Sequence, residues 1–299
     1  MTSSAFTRAF TLTHADALVR FPEQRIDTAQ RTIGYRKAGD RHPRTVSIVM
    51  LHGIGSGAAS WVRQMETLGD AYQVLAWDAP GYGKSSHVEA VSPVASDYAD
   101  ALSDWLDALG IERCVLVGHS LGAIIAGSFA SKQAARVEGL LLLSPAGGYG
   151  AAPAHVREEK RDARLAMLVE LGSQGLAEKR SANMVSADAG EDAREWVRWN
   201  MARIDPAGYA QATHLLANAD LASDLTHFKG RVEVAVGAED TITPPAACEQ
   251  IAKAANVSLQ VIPGAGHAGY IEAPVRYSAL IEAFSAQCKQ RKQCMGATQ

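Results

Sequence analysis

Ser120 stands in Gly118-His119-Ser120-Leu121-Gly122, directly after the apolar run Cys114–Val117. A serine hydroxyl is a poor nucleophile until a neighbouring base accepts its proton. On a sharp strand-to-helix turn the hydroxyl is held in a strained conformation, exposed above the sheet. Glycines two residues before and after such a serine remove side chains that would collide in the turn. The bare G-x-S-x-G pattern also occurs by chance. The β run before it and the small, apolar, helix-type stretch Leu121–Lys132 after it separate it from a serine that merely N-caps a helix.

The candidate base is His267, in the Gly-rich stretch Pro263-Gly264-Ala265-Gly266-His267, just after the run Ser258–Ile262. An acid must then orient the imidazole and stabilise its cation. Glu239 and Asp240 both follow the run Val232–Val236 and both remain open at this level. The oxyanion of a tetrahedral intermediate needs two backbone N–H donors. Leu121, immediately after the nucleophile, can supply one. Ile54, in the loop Leu51-His52-Gly53-Ile54-Gly55-Ser56-Gly57, is placed to supply the other. A phosphate-binding role for that loop fails, because it contains neither GxGxxG nor a Gly-Lys-Ser/Thr ending.

These residues need a scaffold. Six nearly continuous apolar runs, at Thr45–Leu51, Gln73–Trp77, Cys114–Val117, Gly139–Leu143, Val232–Val236 and Ser258–Ile262, read as strands buried on both faces. Arg25–Ala38 alternates imperfectly and reads as a hairpin. Helical spacing fills Ser96–Gly110, Leu121–Lys132, Pro244–Ala254 (with Thr243 as N-cap) and Pro274–Gln287. Strands alternating with helices predict an α/β fold with a mainly parallel sheet. Between Ala146 and Asp224 the rhythm breaks into charged helical pieces, read as a lid inserted over the sheet. Residues 1–20 read as a loose arm, and those after Cys288 as a frayed tail.

The 299 residues, 47% of them apolar, suffice for a large core. A net charge of −3 provides no broad positive field, which argues against a nucleic-acid partner. The four cysteines form no CxxC pair and no zinc spacing, so neither a metal nor another cofactor is expected. Cys114 reads as core, and Cys288 and Cys294 as free thiols in a polar tail. This usage suits a reducing cytoplasm. No signal-peptide core and no run of about 18 apolar residues is present, so no membrane association is expected. Nothing fixes the oligomeric state, a homodimer being the assembly considered.

Four blocks in order make the chain resemble the α/β-hydrolase superfamily over roughly residues 25–288. They are His52-Gly53-Ile54-Gly55, Asp78-Ala79-Pro80-Gly81-Tyr82-Gly83-Lys84-Ser85, the Ser120 pentapeptide, and the pair Gly237-Ala238-Glu239-Asp240 and Gly266-His267. The order Ser120, Asp240, His267 is that superfamily's. The resemblance favours Asp240 over Glu239 as the acid. It implies structural roles for Asp78 and His52, a core of 1–145 and 225–299, and a helical cap of 146–224. Relatives with aspartate at the elbow form alkyl–enzyme esters, whereas serine there implies an acyl–enzyme.

The closest look is to bacterial esterases, enol-lactonases and the carbon–carbon hydrolases of aromatic ring-fission products. The last group usually carries Gly-Pro-Gly in the oxyanion loop and Trp after the catalytic histidine. Here those places hold Gly55-Ser56-Gly57 and Ala268. The expected activity is therefore hydrolysis of a small carboxylic ester or lactone, in a setting such as aromatic-compound degradation. Carbon–carbon hydrolysis of a 2-hydroxy-6-oxo-dienoate is the alternative, and a non-catalytic ligand-binding protein on the same fold is a third reading. In the cap, Arg194, Trp196, Arg198, Trp199, Met201 and Arg203 cluster. Most of them read as solvent face and packing seam. One arginine, Arg198 among the candidates, could bind a substrate carboxylate while Trp196 or Trp199 stacks on its apolar part.

Overall fold

The apolar runs assemble into one sheet in the computed structural model, which describes residues 13–41 and 46–296, with side chains through Cys288. Most of the proposed N-terminal arm, Thr45 and the Cys294 side chain lie outside the described residues. The chain passes through α1 (His14–Arg20), β1 (Gln24–Asp27), β2 (Thr32–Ala38), β3 (Ser47–Leu51), α2 (Val62–Leu68), β4 (Val74–Trp77), α3 (Ala95–Ala108), β5 (Cys114–His119), α4 (Leu121–Lys132) and β6 (Val137–Leu143). It continues through α5 (Ala154–Arg180), α6 (Glu191–Met201), α7 (Pro206–Asn218), α8 (Leu221–His227), β7 (Val232–Gly237), α9 (Pro245–Ala254), β8 (Leu259–Ile262), α10 (Gly269–Glu272) and α11 (Pro274–Gly296).

The eight strands lie in the order β1-β2-β4-β3-β5-β6-β7-β8. The first hairpin is antiparallel, with Asp27 opposite Thr32, and β2 pairs antiparallel with β4. Every later pairing is parallel. Alternate residues of each central strand feed opposite faces. Val49, Leu51, Leu116, Leu140 and Leu142 pack under α3, α4 and α8, whereas Ile48, Met50, Val115, Val117 and Leu141 pack under α2 and α11. This double coverage is why the strands read as continuous apolar runs. The central strand β5 ends at His119, and the sheet delivers Ser120 at its C-terminal edge, where open α/β sheets bind ligands.

Helices α5 to α8 separate β6 from β7. Helix α5 is broken at Gly172, whose φ of 62° and ψ of −178° interrupt the helical path. It packs against α6 and α7, while α8 packs on α4 and α9.

Three local expectations are corrected. Residues 14–20 are a helix, because Thr13 and Asp16 form a reciprocal capping box and Ala17 is buried. The C-terminal helix continues to Gly296, and its Cys288 is buried against Gly139 of β6, so that residue is core. Thr243 does not cap α9, whose N-cap is Pro244; its hydroxyl is used elsewhere.

Candidate active site

Ser120 sits at the junction of β5 and α4 with φ 53° and ψ −114°. That left-handed conformation costs a non-glycine residue about 1–3 kcal/mol and persists only when its surroundings impose it. Here the N–H of Ser120 donates to Leu143 O at 3.1 Å, and its carbonyl accepts from Ala123 and Ala146 at 3.0 and 3.2 Å. The flanking glycines have a steric cause. A Cβ on Gly118 would lie 2.6 Å from Gly122 O, and one on Gly122 would lie 2.3 Å from Leu51 O.

The loops carrying Asp240 and His267 meet beside this turn. His267 Nδ1–H donates to Asp240 Oδ2 at 2.9 Å, with both side chains almost fully buried. Asp240 is saturated: Oδ1 accepts the N–H groups of Ile242 and Thr243 at 2.8 and 2.9 Å, and the Thr243 hydroxyl donates to Oδ2 at 2.9 Å. Burial works to raise the Asp240 carboxyl, but the bond and charge of His267 and the Thr243 N–H outweigh it and hold the group at about 2. The carboxylate is thereby fixed as an anion that locks the imidazole tautomer, with Nε2 left as the proton acceptor. Among the described residues Ser120 Oγ makes no hydrogen bond.

The turn blocks hold the surrounding loops. His52 Nδ1–H donates to Gly53 O at 2.8 Å while Nε2 accepts from Ala79 N–H at 3.0 Å, and burial pushes His52 down to about 4. Asp78 Oδ1 accepts from Ala58 N–H at 2.8 Å, and burial pushes its carboxyl up to about 6. Ile54 and Leu121 both border the cavity beside Ser120. Neither N–H has an acceptor among the described loop hydrogen bonds.

Ser120 and His267 open onto a cavity of about 460 Å³ between the sheet edge and the helices that separate β6 from β7. Its wall includes Ile54, Leu121, Tyr149, Arg164, Leu176, Arg180, Val197, Met201, Tyr209 and Tyr270. Trp196, Arg198 and Trp199 are not brought to it. Trp196 is buried between His14 and Trp199, with ring centroids 4.2 and 4.6 Å apart. Arg203 covers Trp199 at 4.3 Å, and Arg198 reaches out to Glu195 at 3.9 Å. Arg194 caps carbonyls of Ser186, Ala187 and Ala189. Helix α6 instead presents Val197, Asn200 and Met201 to the cavity, a stripe at helical spacing.

Several residues of the site carry no motif. Glu272 of α10 accepts from Gly266 N–H at 2.8 Å and from Ser186 N–H at 3.0 Å, and also bonds the Ser186 hydroxyl. It ties the His267 loop to the segment after α5. The Ala268 N–H adds a bond to Met184 O at 2.6 Å. His119 lies beneath His267, bonding its carbonyl through Nε2–H at 2.9 Å, and is pushed down to about 3 by burial and by His267. Its ring leans on Tyr270, centroids 4.7 Å apart, which stacks on Trp61 at 4.1 Å. A long-range partner, as for Glu272 and Ser186, leaves no local sequence signal.

Comparison with known proteins agrees with this architecture. Among solved structures, a thermophilic esterase from Thermogutta terrifontis superposes with TM-score 0.79 at 24% identity, covering 89% of this chain and 99% of that one. The enol-lactonase from Burkholderia xenovorans LB400 gives 0.77 at 22% identity, covering 87% and 99%. Among curated proteins, 2-hydroxy-6-oxo-6-phenylhexa-2,4-dienoate hydrolase of Comamonas testosteroni is 37% identical over 129 residues, 42% of this chain and 43% of that protein. RutD of Caulobacter sp. (strain K31) is 24% identical over 251 residues, 80% of this chain and 90% of RutD. Other curated matches reach only part of their partner, 23% in abhd-5.2 of Caenorhabditis elegans, so the chain spans less than half the length of most of the first of these relatives. The model of the alpha/beta hydrolase family matches residues 48–280, and with this sheet order and elbow the chain belongs to that family.

Proposed function

We propose that this protein hydrolyses a carboxylic ester or lactone of a small organic substrate through an acyl–enzyme. One observation carries the reading: His267, bonded to the buried Asp240 at 2.9 Å, borders the same cavity as the strained Ser120. Ser120 Oγ attacks the carbonyl as His267 Nε2 takes its proton. The N–H groups of Ile54 and Leu121 bind the oxyanion, and Asp240 stabilises the imidazolium. Collapse of the tetrahedral intermediate expels the alcohol, which receives the proton from His267. Water, deprotonated by His267, then attacks the acyl–enzyme and releases the acid and free Ser120. No step uses a metal or an organic cofactor.

Esterase and enol-lactonase neighbours support the choice of bond. Ser120→Ala is expected to lower kcat on an activated aryl ester at least about 10³-fold. Near-normal turnover by that variant would overturn the assignment. The match to a dienoate hydrolase supports one second reading, carbon–carbon hydrolysis by the same residues. A kcat/KM far larger on a ring-fission dienoate than on esters would select it.

A further inference from the structure

Three charged side chains border the cavity: Arg164 and Arg180 from α5, and Asp220 just before α8. Both arginines are partly buried on the cavity wall, and Arg164 donates to Tyr209 Oη at 3.2 Å. Among the described residues neither has a carboxylate partner, whereas Arg63, Arg113, Arg136 and Arg161 of this chain each reach one. Asp220 turns to its own helix, accepting from Ser223 N–H at 3.1 Å. Two guanidiniums on one cavity wall without a carboxylate partner are electrostatically costly, and burial with the charge of Arg164 lowers Arg180. Such a pair matches the planar, bidentate geometry of a carboxylate. With Asp220 also on the lining, the charged side chains sum to a net single positive charge, which suits a monoanion better than a phosphate dianion. The remaining wall, with Leu176, Val197, Met201, Leu216 and Ile251, suits an apolar chain between the two ends.

We infer that Arg164 and Arg180 form a carboxylate-binding subsite, and that the substrate is the ester or lactone of a molecule bearing a second, free carboxylate. The inference rests on the hydrolase reading for the reacting end only. Two comparisons test it. In the first, the full-length enzyme hydrolyses the monoaryl ester of adipate and the aryl ester of hexanoate, and in parallel 4-acetoxybenzoate and phenyl acetate. The acidic member of at least one pair is expected to have the higher kcat/KM by about tenfold or more, the worth of one charge-assisted hydrogen bond. That ratio should fall at least about tenfold in Arg180→Gln and in Arg164→Gln, and should persist in Arg198→Gln, whose side chain lies off the cavity. A ratio near one in the wild type, or a ratio unchanged in both cavity variants, would overturn the subsite.

In the second comparison, calorimetry on Ser120→Ala measures binding of monomethyl adipate and dimethyl adipate without turnover. The monoacid is expected to bind at least about tenfold tighter, and inorganic phosphate should not displace it at concentrations where acetate does. Equal binding of the two adipates, or displacement by phosphate before acetate, would contradict a carboxylate site. Acid-selective binding by a protein that turns over no ester would uphold the subsite while the hydrolase reading fails. Turnover of neutral and acidic esters alike, without selective binding, would do the reverse. Thermal unfolding of each variant separates a lost subsite from a lost fold.

Discussion

Asp240 is the residue whose surroundings are most completely specified. Four donors meet its two oxygens, and its carboxyl is held near 2, against an ordinary value of 3.8. A folded-state pKa below the unfolded one stabilises the fold where the group is ionised. The contribution is fully present above about pH 4 and is lost as the pH falls through about 2. Its size is about 2 kcal/mol. Urea unfolding of wild type and Asp240→Asn should therefore show a stability gap that narrows as the pH drops from 5 to 2. A gap independent of pH would contradict the assignment. The same substitution should cut kcat on the order of 10⁴-fold by releasing the imidazole tautomer. Ser120, Asp240 and His267 were legible because each follows an apolar run and a glycine-bearing turn, and because their order matches a known superfamily. Thr243 resembles a helix cap in sequence but serves Asp240 instead. Its hydroxyl had two possible uses, and only the folded loop, which brings Asp240 and Ser144 within reach, decides between them.

At the scale of elements, the elbow depends on backbone packing that side chains cannot relieve. A Cβ on Gly122 would meet the Leu51 carbonyl at 2.3 Å. Gly122→Ala should destabilise the protein by at least about 2 kcal/mol, measured by denaturant unfolding, and lower expression. Wild-type stability would show that β3 and α4 can separate. The base loop has its own brace in Glu272. Glu272→Ala frees Gly266 N–H and the segment at Ser186, and is expected to lower kcat about tenfold with little change in KM. A change confined to KM would place Glu272 in substrate binding instead.

Helix α6 shows where sequence periodicity ran out. Its amphipathic pattern was visible, but rotating the helix by one residue exchanges Trp196 and Trp199 for Val197 and Asn200 on the cavity side. In that rotation α6 packs against α5 and α10, and His14 of α1 stacks on Trp196 and bonds Asp192 at 3.0 Å. Helices α1 and α10 are distant from it in the chain, so the periodicity of α6 alone does not announce which of its faces meets the cavity.

The whole molecule divides the chemistry between two surfaces. The parallel sheet was readable almost strand by strand, since strands buried on both faces reveal themselves as unbroken apolar runs. It holds Ser120, Asp240 and His267 at one edge. The helices between β6 and β7 provide the opposing wall, including Arg164 and Arg180. Those arginines sit 16 residues apart on α5, with the break at Gly172 between them, so neither helical spacing nor a motif announces the pair. The candidate triad is thus readable from the strands that carry it, while the cavity wall depends on long-range placement of the helices between β6 and β7.

The central claim is that Ser120 is the nucleophile of a working triad. The most direct test is exposure of the folded protein to a fluorophosphonate probe, followed by intact mass and peptide mapping. A single adduct on Ser120, absent from Ser120→Ala and slowed in His267→Ala, is the expected result. No adduct on folded protein, or an adduct on another serine with Ser120 unmodified, would contradict it.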